Sequence, residues 1–141
     1  MWSTNTSTIS TTKHSGYTNT LNIAYTNAIP NTNTAAYICT QYPTVNSKLG
    51  DAISTDWYLP SLYEMLYLYN NAKIINNILG DSAAGTTHHG LSGIYWTSTQ
   101  NEYDTTSAYI FNFDTGRVGT AIKSNSYKVR AVRTLDPWST Y

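Results

Sequence analysis

The sequence predicts an α+β domain in which two helices pack on short antiparallel sheets, with much of the chain in loops. Three observations carry that expectation. Apolar residues recur at helical spacing twice in the first half, they alternate with other residues along the last third, and Thr, Ser and Asn crowd the stretches between. At 141 residues the chain is long enough to bury a core and short enough for one domain, so a single domain over 1–141 is expected.

Residues 1–34 are dense in Thr, Asn and Ser, with Ile9, Tyr17, Leu21, Ile23 and Tyr25 scattered among them, and read as short strands and turns. From Thr34 to Tyr42 the positions Ala35, Ile38, Cys39 and Tyr42 follow i, i+3, i+4, i+7, the signature of one helical face, with Asn33 or Thr34 as its N-cap. Cys39 on that face reads as a small buried hydrophobe, not a nucleophile. Next, Ser61 and Glu64 have the Ser-x-x-Glu spacing of a capping box, and Pro60 halts the strand before them. Leu62, Met65, Leu66 and Tyr69 then repeat at helical spacing, a core face that fades at Asn70-Asn71.

Residues 80–93 hold four glycines in no phosphate-binding pattern and read as a loop. Its pair His88-His89 would point apart on extended backbone with no carboxylate close in sequence, so these are solvated histidines. Strands are expected over 93–99, 108–113, 117–122 and 127–134. In the second, Tyr109, Phe111 and Phe113 alternate with Ala108, Ile110 and Asn112, which sends the three aromatics to the core. Asp114-Thr115-Gly116 forms the turn into the third strand. In the fourth, Val129 and Ala131 point one way, Lys128 and Arg130 the other.

Composition narrows the function. Only 11% of residues are charged, against roughly 25% in ordinary globular proteins, and the net charge is zero. With no Lys/Arg cluster, neither nucleic acid nor an anionic membrane is an expected partner. Thirteen Tyr, four Trp and 40% hydrophobic residues are more than a disordered chain carries. Cys39, the single cysteine, cannot form an internal disulfide, and no Cys/His spacing suits zinc, so no metal or cofactor is expected. No apolar stretch approaches the roughly 18 residues of a membrane span, and no signal-like leader precedes Trp2, which reads as the start of a domain excised from a longer chain.

Four segments in order, DWYLPSLYEM (56–65), GIYWTST (93–99), AYIFNFDTG (108–116) and KSNSYKVRAVR (123–133), resemble the C-type-lectin-like domain at the C-terminus of bacterial collagen-like adhesins. The family pattern is D-W-x-L-P-[ST] before a helix, Y-W-[ST]-S-[ST], A-W-x-x-x-F-x-x-G and a closing Y-x-V-R-x-V-R. An opening like Trp2-Ser3-Thr4 is common there too. Two departures stand out: Tyr109 replaces the usual Trp, and the stretch between Trp96 and Ala108 is longer. The resemblance implies a C-type-lectin-like fold that binds ligands and does no chemistry. It also implies an extracellular place on a bacterial cell surface or phage virion (tail fibre or tip), with a host-surface protein or glycan as partner, and leaves an oligomer open.

The same family includes the variable proteins of diversity-generating retroelements, in which adenine-containing codons on one surface are rewritten. Asn codons mutated only at adenine yield Tyr, Ser, Thr, Asp, Gly, Ala and Ile. The expected ligand-binding set has Tyr103 and Tyr127 as aromatic anchors, with Asp104, Thr105, Thr106, Ile110, Asp114, Arg117, Gly119, Thr120, Ile122 and Asn125 around them. Tyr103, Asp104, Thr105, Thr106, Ser107, Ile110, Asp114, Gly119, Thr120, Ala121, Ile122, Asn125 and Tyr127 all belong to that reachable set. Tyr supplies large amphipathic area at low entropy cost while Ser, Thr and Asn supply adaptable hydrogen bonds, the division of labour of antibody paratopes.

Enzyme readings fare worse. Formylglycine-generating enzymes, which share the broader fold, need a cysteine pair. Glycosidases need two carboxylates roughly 5–9.5 Å apart, but Glu64 is explained by capping and Glu102, Asp104 and Asp114 lie in the binding region. No G-x-S-x-G elbow occurs, and the E-P-N, Q-P-D and W-N-D motifs of calcium-dependent lectins are missing. A non-enzymatic binding domain is the expectation, with a structural or assembly role in a surface or tail protein as the alternative.

Overall fold

A computed structural model describes residues 1–4, 6–25, 32–41, 57–80 and 90–134. In chain order come α1 (Gly16–Ala24), α2 (Ala35–Thr40), α3 (Leu62–Asn70), α4 (Ala72–Gly80), β1 (Ile94–Gln100), β2 (Ser107–Asn112) and β3 (Arg117–Ile122). The α+β class expected from the sequence is the one observed, with four helices among the described residues where two were expected. Tyr42, Asp56, His88 and His89 lie outside the described residues.

The helix α1 replaces the strands and turns expected there. Its buried residues are Gly16, Asn19, Thr20, Ile23 and Ala24, while Tyr17, Leu21 and Tyr25 are exposed. The helical period is therefore written in small and polar residues, which a count of apolar positions overlooks. Asn19 is fully buried because its amide is spent. Oδ1 accepts from the Thr12 N–H at 2.8 Å, and Nδ2 donates to the Thr12 carbonyl at 2.7 Å and to Ser98 Oγ at 3.1 Å. Thr20 Oγ1 likewise accepts from the Leu59 N–H at 2.9 Å. Gly16 allows this docking, since a Cβ there would stand 2.4 Å from Glu64 Oε2 and 2.7 Å from the Leu59 carbonyl.

Thr34 caps α2, accepting from the Tyr37 N–H at 3.2 Å. Ala35, Ala36 and Cys39 turn inward, whereas Ile38, expected on that face, is 54% exposed. Cys39 is buried as expected, and desolvation pushes its thiol up to about 12, far from any nucleophile's range. The capping box at α3 is present in full: Glu64 Oε2 accepts from the Ser61 N–H at 2.7 Å and Ser61 Oγ from the Glu64 N–H at 3.4 Å. Glu64 Oε2 also accepts from the Gly16 N–H at 3.0 Å, so one carboxylate seats the starts of two helices. Ser61→Ala is expected to cost roughly 0.5–2 kcal/mol and to leave ligand capture unchanged at saturation. Chemical denaturation checks it, and an unshifted midpoint contradicts it.

The unexpected helix α4 follows α3 after the single residue Asn71. Ile75 packs inward and Ile74 and Ile78 outward, while Asn76 fixes the next segment by hydrogen bonds to the Leu91 N–H and carbonyl, 2.6 and 3.1 Å.

The sheet is antiparallel in the order β1-β2-β3. Tyr95 pairs with Phe111 and Phe111 with Val118, and beside them Trp96 pairs with Ile110 and Ile110 with Gly119. Opposed residues share a face, so the sheet separates two cores. On one face Tyr95, Phe111 and Phe113 meet Met65 of α3. On the other, Trp96 and Ala108 meet Trp2, Ile23 of α1 and Cys39 of α2, with Ile110, Ala121, Tyr127 and Val129 packed against them.

The fourth strand expected over 127–134 is instead a coil touching down at two single bridges, Tyr95 with Lys128 and Tyr58 with Val132. The expected opposition holds in part: Val129 and Ala131 pack inward, but Arg130 is also half-buried. The turn at Asp114-Thr115-Gly116 is present, with Gly116 at φ +69° and its N–H donating to the Asn112 carbonyl at 2.8 Å.

Candidate functional site

Helix α3 covers only part of its sheet face. Phe111 and Phe113 beneath it are 0% and 6% exposed, but Tyr109, two residues back on the same face, is half-buried. Tyr109 pairs across with Thr120, and Ser107 with Ile122, so Tyr109, Val118, Thr120 and Ile122 line an uncovered end of the sheet. Tyr109 was expected in the core with Phe111 and Phe113. Alternation put it on the right face without revealing where the helix stops.

The β1–β2 loop rises beside this end and is held by its own polar groups. Asp104 Oδ1 accepts from the Thr106 N–H at 2.9 Å and Thr106 Oγ1 at 2.6 Å, and these bonds hold its carboxyl below the usual range. Asn101 Oδ1 accepts from the Tyr103 N–H at 3.1 Å. Tyr103 stands out from this braced loop 88% exposed, an aromatic ring held in water by a fixed backbone.

Two segments far away in sequence complete the surface. Lys13 Nζ donates to Glu102 Oε1 at 2.6 Å, and Tyr109 Oη donates to Glu102 Oε2 at 2.8 Å. Lys13 Nζ also lies 5.7 Å from the centre of the Tyr109 ring. The Lys13 bond first, then the loop backbone and Tyr109, hold the Glu102 carboxyl down at about 2. Burial first, then Glu102, raises the Tyr109 hydroxyl. Beyond Lys13, His14 meets Tyr63 of α3 edge to face at 4.6 Å, and the Tyr63 N–H donates to the Lys13 carbonyl at 3.0 Å.

The Glu102 shift has a pH consequence. A carboxyl held below its ordinary 4.5 keeps its links to Lys13 and Tyr109 above that value and loses them as pH falls toward about 2. Side-chain NMR titration of Glu102 is expected to give a midpoint near about 2, moving toward 4.5 in Lys13→Ala. An ordinary midpoint in the unmodified chain contradicts the geometry.

The expected binding set divides in space. Tyr103, Asp104, Thr105 and Thr106 sit together on the β1–β2 loop, and Thr120 and Ile122 join them on the open face of β3. Arg117 is exposed, but its pairing with Asn112 places it on the other face of the sheet, at the far end of β3. Asp114 lies in the β2–β3 turn, accepting from the Gly93 N–H at 2.9 Å. Asn125 is exposed beyond β3, its N–H donating to the Ile122 carbonyl at 3.0 Å.

Three further members lie away from this surface. Ile110 and Gly119 oppose each other on the face that meets Trp96, and Ile110 packs into the core there. Tyr127, expected as an anchor, lies edge to face on Trp96 at 5.0 Å and is half-buried. Glycine between bulky neighbours and Tyr in a Tyr/Ser/Asn run read as surface residues in a sequence, but the coil after β3 folds back onto the sheet. Missed residues include Val118, Tyr109, Lys13, His14 and Tyr63. Pairing of Tyr109 with Thr120 was derivable from the turn at 114–116, whereas nothing local signals Lys13.

Among the described residues no group of His, Cys, Asp and Glu is arranged to hold a metal ion, and no helix is long and apolar enough to cross a membrane. A model of one protein family, the Lcl C-terminal domain, matches residues 1–133. No curated protein matches the chain.

Proposed function

From the premise that the chain belongs to the Lcl C-terminal domain family, we propose that it is a non-enzymatic, adhesin-type binding domain whose ligand seats on the open end of the sheet and the β1–β2 loop. The observation that carries this reading is the exposed, braced aromatic surface: Tyr103 on a loop fixed by its own hydrogen bonds, Tyr109 tethered through Glu102 to Lys13, and Thr120 and Ile122 beside them. Rigid aromatic anchors ringed by adaptable hydroxyls bind at low entropic cost. Its charges are paired or capped internally, which suits a host-surface protein or glycan without strong charge.

The collagen-like adhesin resemblance supports display on a bacterial cell surface or phage virion. Membership of the diversity-generating subgroup is supported by the exposed codon-reachable residues Tyr103, Asp104, Thr106, Thr120 and Ile122, and weakened by Ile110, Ala121 and Tyr127, which pack inward. A near-copy of the C-terminal coding segment beside a reverse-transcriptase gene would test it. For the binding face, the experiment is capture on an array of host-surface glycoproteins and glycans with the unmodified chain and with Tyr103→Ala. Loss of capture by a variant that melts normally is expected. Undiminished capture places the ligand elsewhere.

A further inference from the structure

Among the described residues nothing pairs with the outer edge of β3, and the hydrogen-bond phase of the sheet identifies which backbone groups it offers. In an antiparallel ladder, pairs that exchange hydrogen bonds alternate with pairs that do not. The Lys123 N–H donates to the Thr106 carbonyl at 3.0 Å, one pair beyond Ser107 with Ile122. Residues 121, 119 and 117 therefore turn their backbone groups toward β2, and 118, 120 and 122 turn theirs away. The Ile122 carbonyl is taken by the Asn125 N–H. The N–H and carbonyl of Val118, those of Thr120 and the Ile122 N–H point outward with no partner among the described residues.

The opposite edge is treated differently. Beyond β1, the Trp96 N–H donates to the Lys128 carbonyl at 3.0 Å, the Lys128 N–H to the Ile94 carbonyl at 3.1 Å, and the Ser98 N–H to the Pro60 carbonyl at 2.8 Å. Among the described residues, one edge of the sheet is covered by its own chain and the other has no strand or coil paired to it. Natural edges are usually blunted by lysine, proline or a bulge, and β3 has none of these between Arg117 and Ile122. Its side chains Val118, Thr120 and Ile122 are exposed on the same face as Tyr109, so a strand laid alongside would extend the proposed binding surface.

Resting on the binding face proposed above, we infer that the partner is a polypeptide, which adds an extended segment to the edge of β3. The segment's alternate apolar side chains would lie beside Val118 and Ile122, and an acidic residue would meet the exposed Arg117 at the start of the strand. Main-chain bonds supply affinity in this mode and alternate side chains supply selectivity. Between Val118 and Ile122 the strip offers a sugar the single hydroxyl of Thr120, whereas a pleated strand fits both the strip and the row of outward amides.

The geometry gives a discriminating variant. Proline at an edge position whose N–H faces outward breaks no ladder bond, so Thr120→Pro is expected to melt like the unmodified chain yet lack the central docking amide. The probe is a capped six-residue peptide, Ac-EVTVTV-amide, followed by amide shifts and hydrogen exchange in isotope-labelled chain. Expected are shifts and slowed exchange at Val118, Thr120 and Ile122, with binding at least tenfold weaker to Thr120→Pro than to the unmodified chain. A peptide N-methylated at alternate amides, tested on the unmodified chain, should also bind at least tenfold more weakly, which keeps the test decisive if Thr120→Pro fails to fold.

No perturbation of those amides at millimolar peptide, equal binding of the N-methylated peptide, or dimerisation through β3 in sedimentation would each overturn the inference. So would a neutral glucan hexasaccharide shifting Tyr103 and Tyr109 where the peptide shifts nothing. The Tyr103→Ala capture assay separates the two claims. Capture lost there with no peptide on β3 keeps the face and removes the strand, and capture retained removes the face itself.

Discussion

Phe111→Ala is expected to destabilise the domain by about 3–5 kcal/mol, since it empties the centre of the cluster under α3. Phe111 is fully buried, with Phe113 at 5.1 Å and Tyr69 at 5.4 Å between ring centres. Tyr103→Ala, eight residues earlier, removes a ring that is 88% exposed and should stay within about 0.5 kcal/mol of the unmodified chain. Thermal and denaturant melts of the two variants, run beside the capture assay, check the division between scaffold and site. A Tyr103→Ala chain that unfolds like Phe111→Ala would make that tyrosine structural and the proposed surface wrong. Tyr127→Ala should fall between them, because its ring packs edge to face on buried Trp96.

Trp2→Ala is expected to cost a similar amount, about 3–5 kcal/mol, and to change how stability responds to pH. Trp2 is fully buried, its Nε1 donates to the Thr97 carbonyl at 2.6 Å, and its ring lies 4.9 Å from the Lys123 ammonium. Lys123 is only 2% exposed and donates to Gln100 Oε1 at 2.7 Å and to the Ser7 carbonyl at 3.3 Å, with desolvation bringing it down to about 8. A lysine lowered on folding disfavours the folded state wherever it must carry its charge. That penalty is complete below about 8 and fades as pH rises toward the ordinary 10.5, so this group's contribution to stability improves across the window. The raised hydroxyls of Tyr58 and Tyr109 act the opposite way above their ordinary 10, so the comparison is between the unmodified chain and Lys123→Met. The melting temperature of the unmodified chain should gain on that of Lys123→Met from pH 8 to 10. In Trp2→Ala, water reaching the ammonium should flatten the gain, and identical pH slopes in all three chains would contradict the buried charge.

What was legible in the sequence was local. The Ser61–Glu64 box, the Thr34 cap and the turn at 114–116 each depend on a few neighbouring residues whose hydrogen bonds close within a turn, so spacing alone places them. Alternation over 108–113 put Tyr109, Phe111 and Phe113 on one face for the same reason. Helix α1 was not legible, because Asn19 and Thr20 are inward only by virtue of bonds to Thr12, Ser98 and Leu59. An Asn in a sequence does not announce a buried partner 79 residues away.

The sequence by itself thus determined the α+β class, the starts of α2 and α3, the hairpin and the chemical character of the surface: aromatic, hydroxyl-rich and nearly uncharged. Only the tertiary structure decided which parts of that chemistry meet. A period of two assigns side chains to faces without saying where α3 ends its cover, which is why Tyr109 emerges at the surface while Phe111 does not. The return of the coil after β3 buries Tyr127 and leaves Thr120 and Ile122 open. The Lys13–Glu102 link joins residues 89 apart, and such long-range pairings are settled by how the layers pack, not by any pattern along the chain.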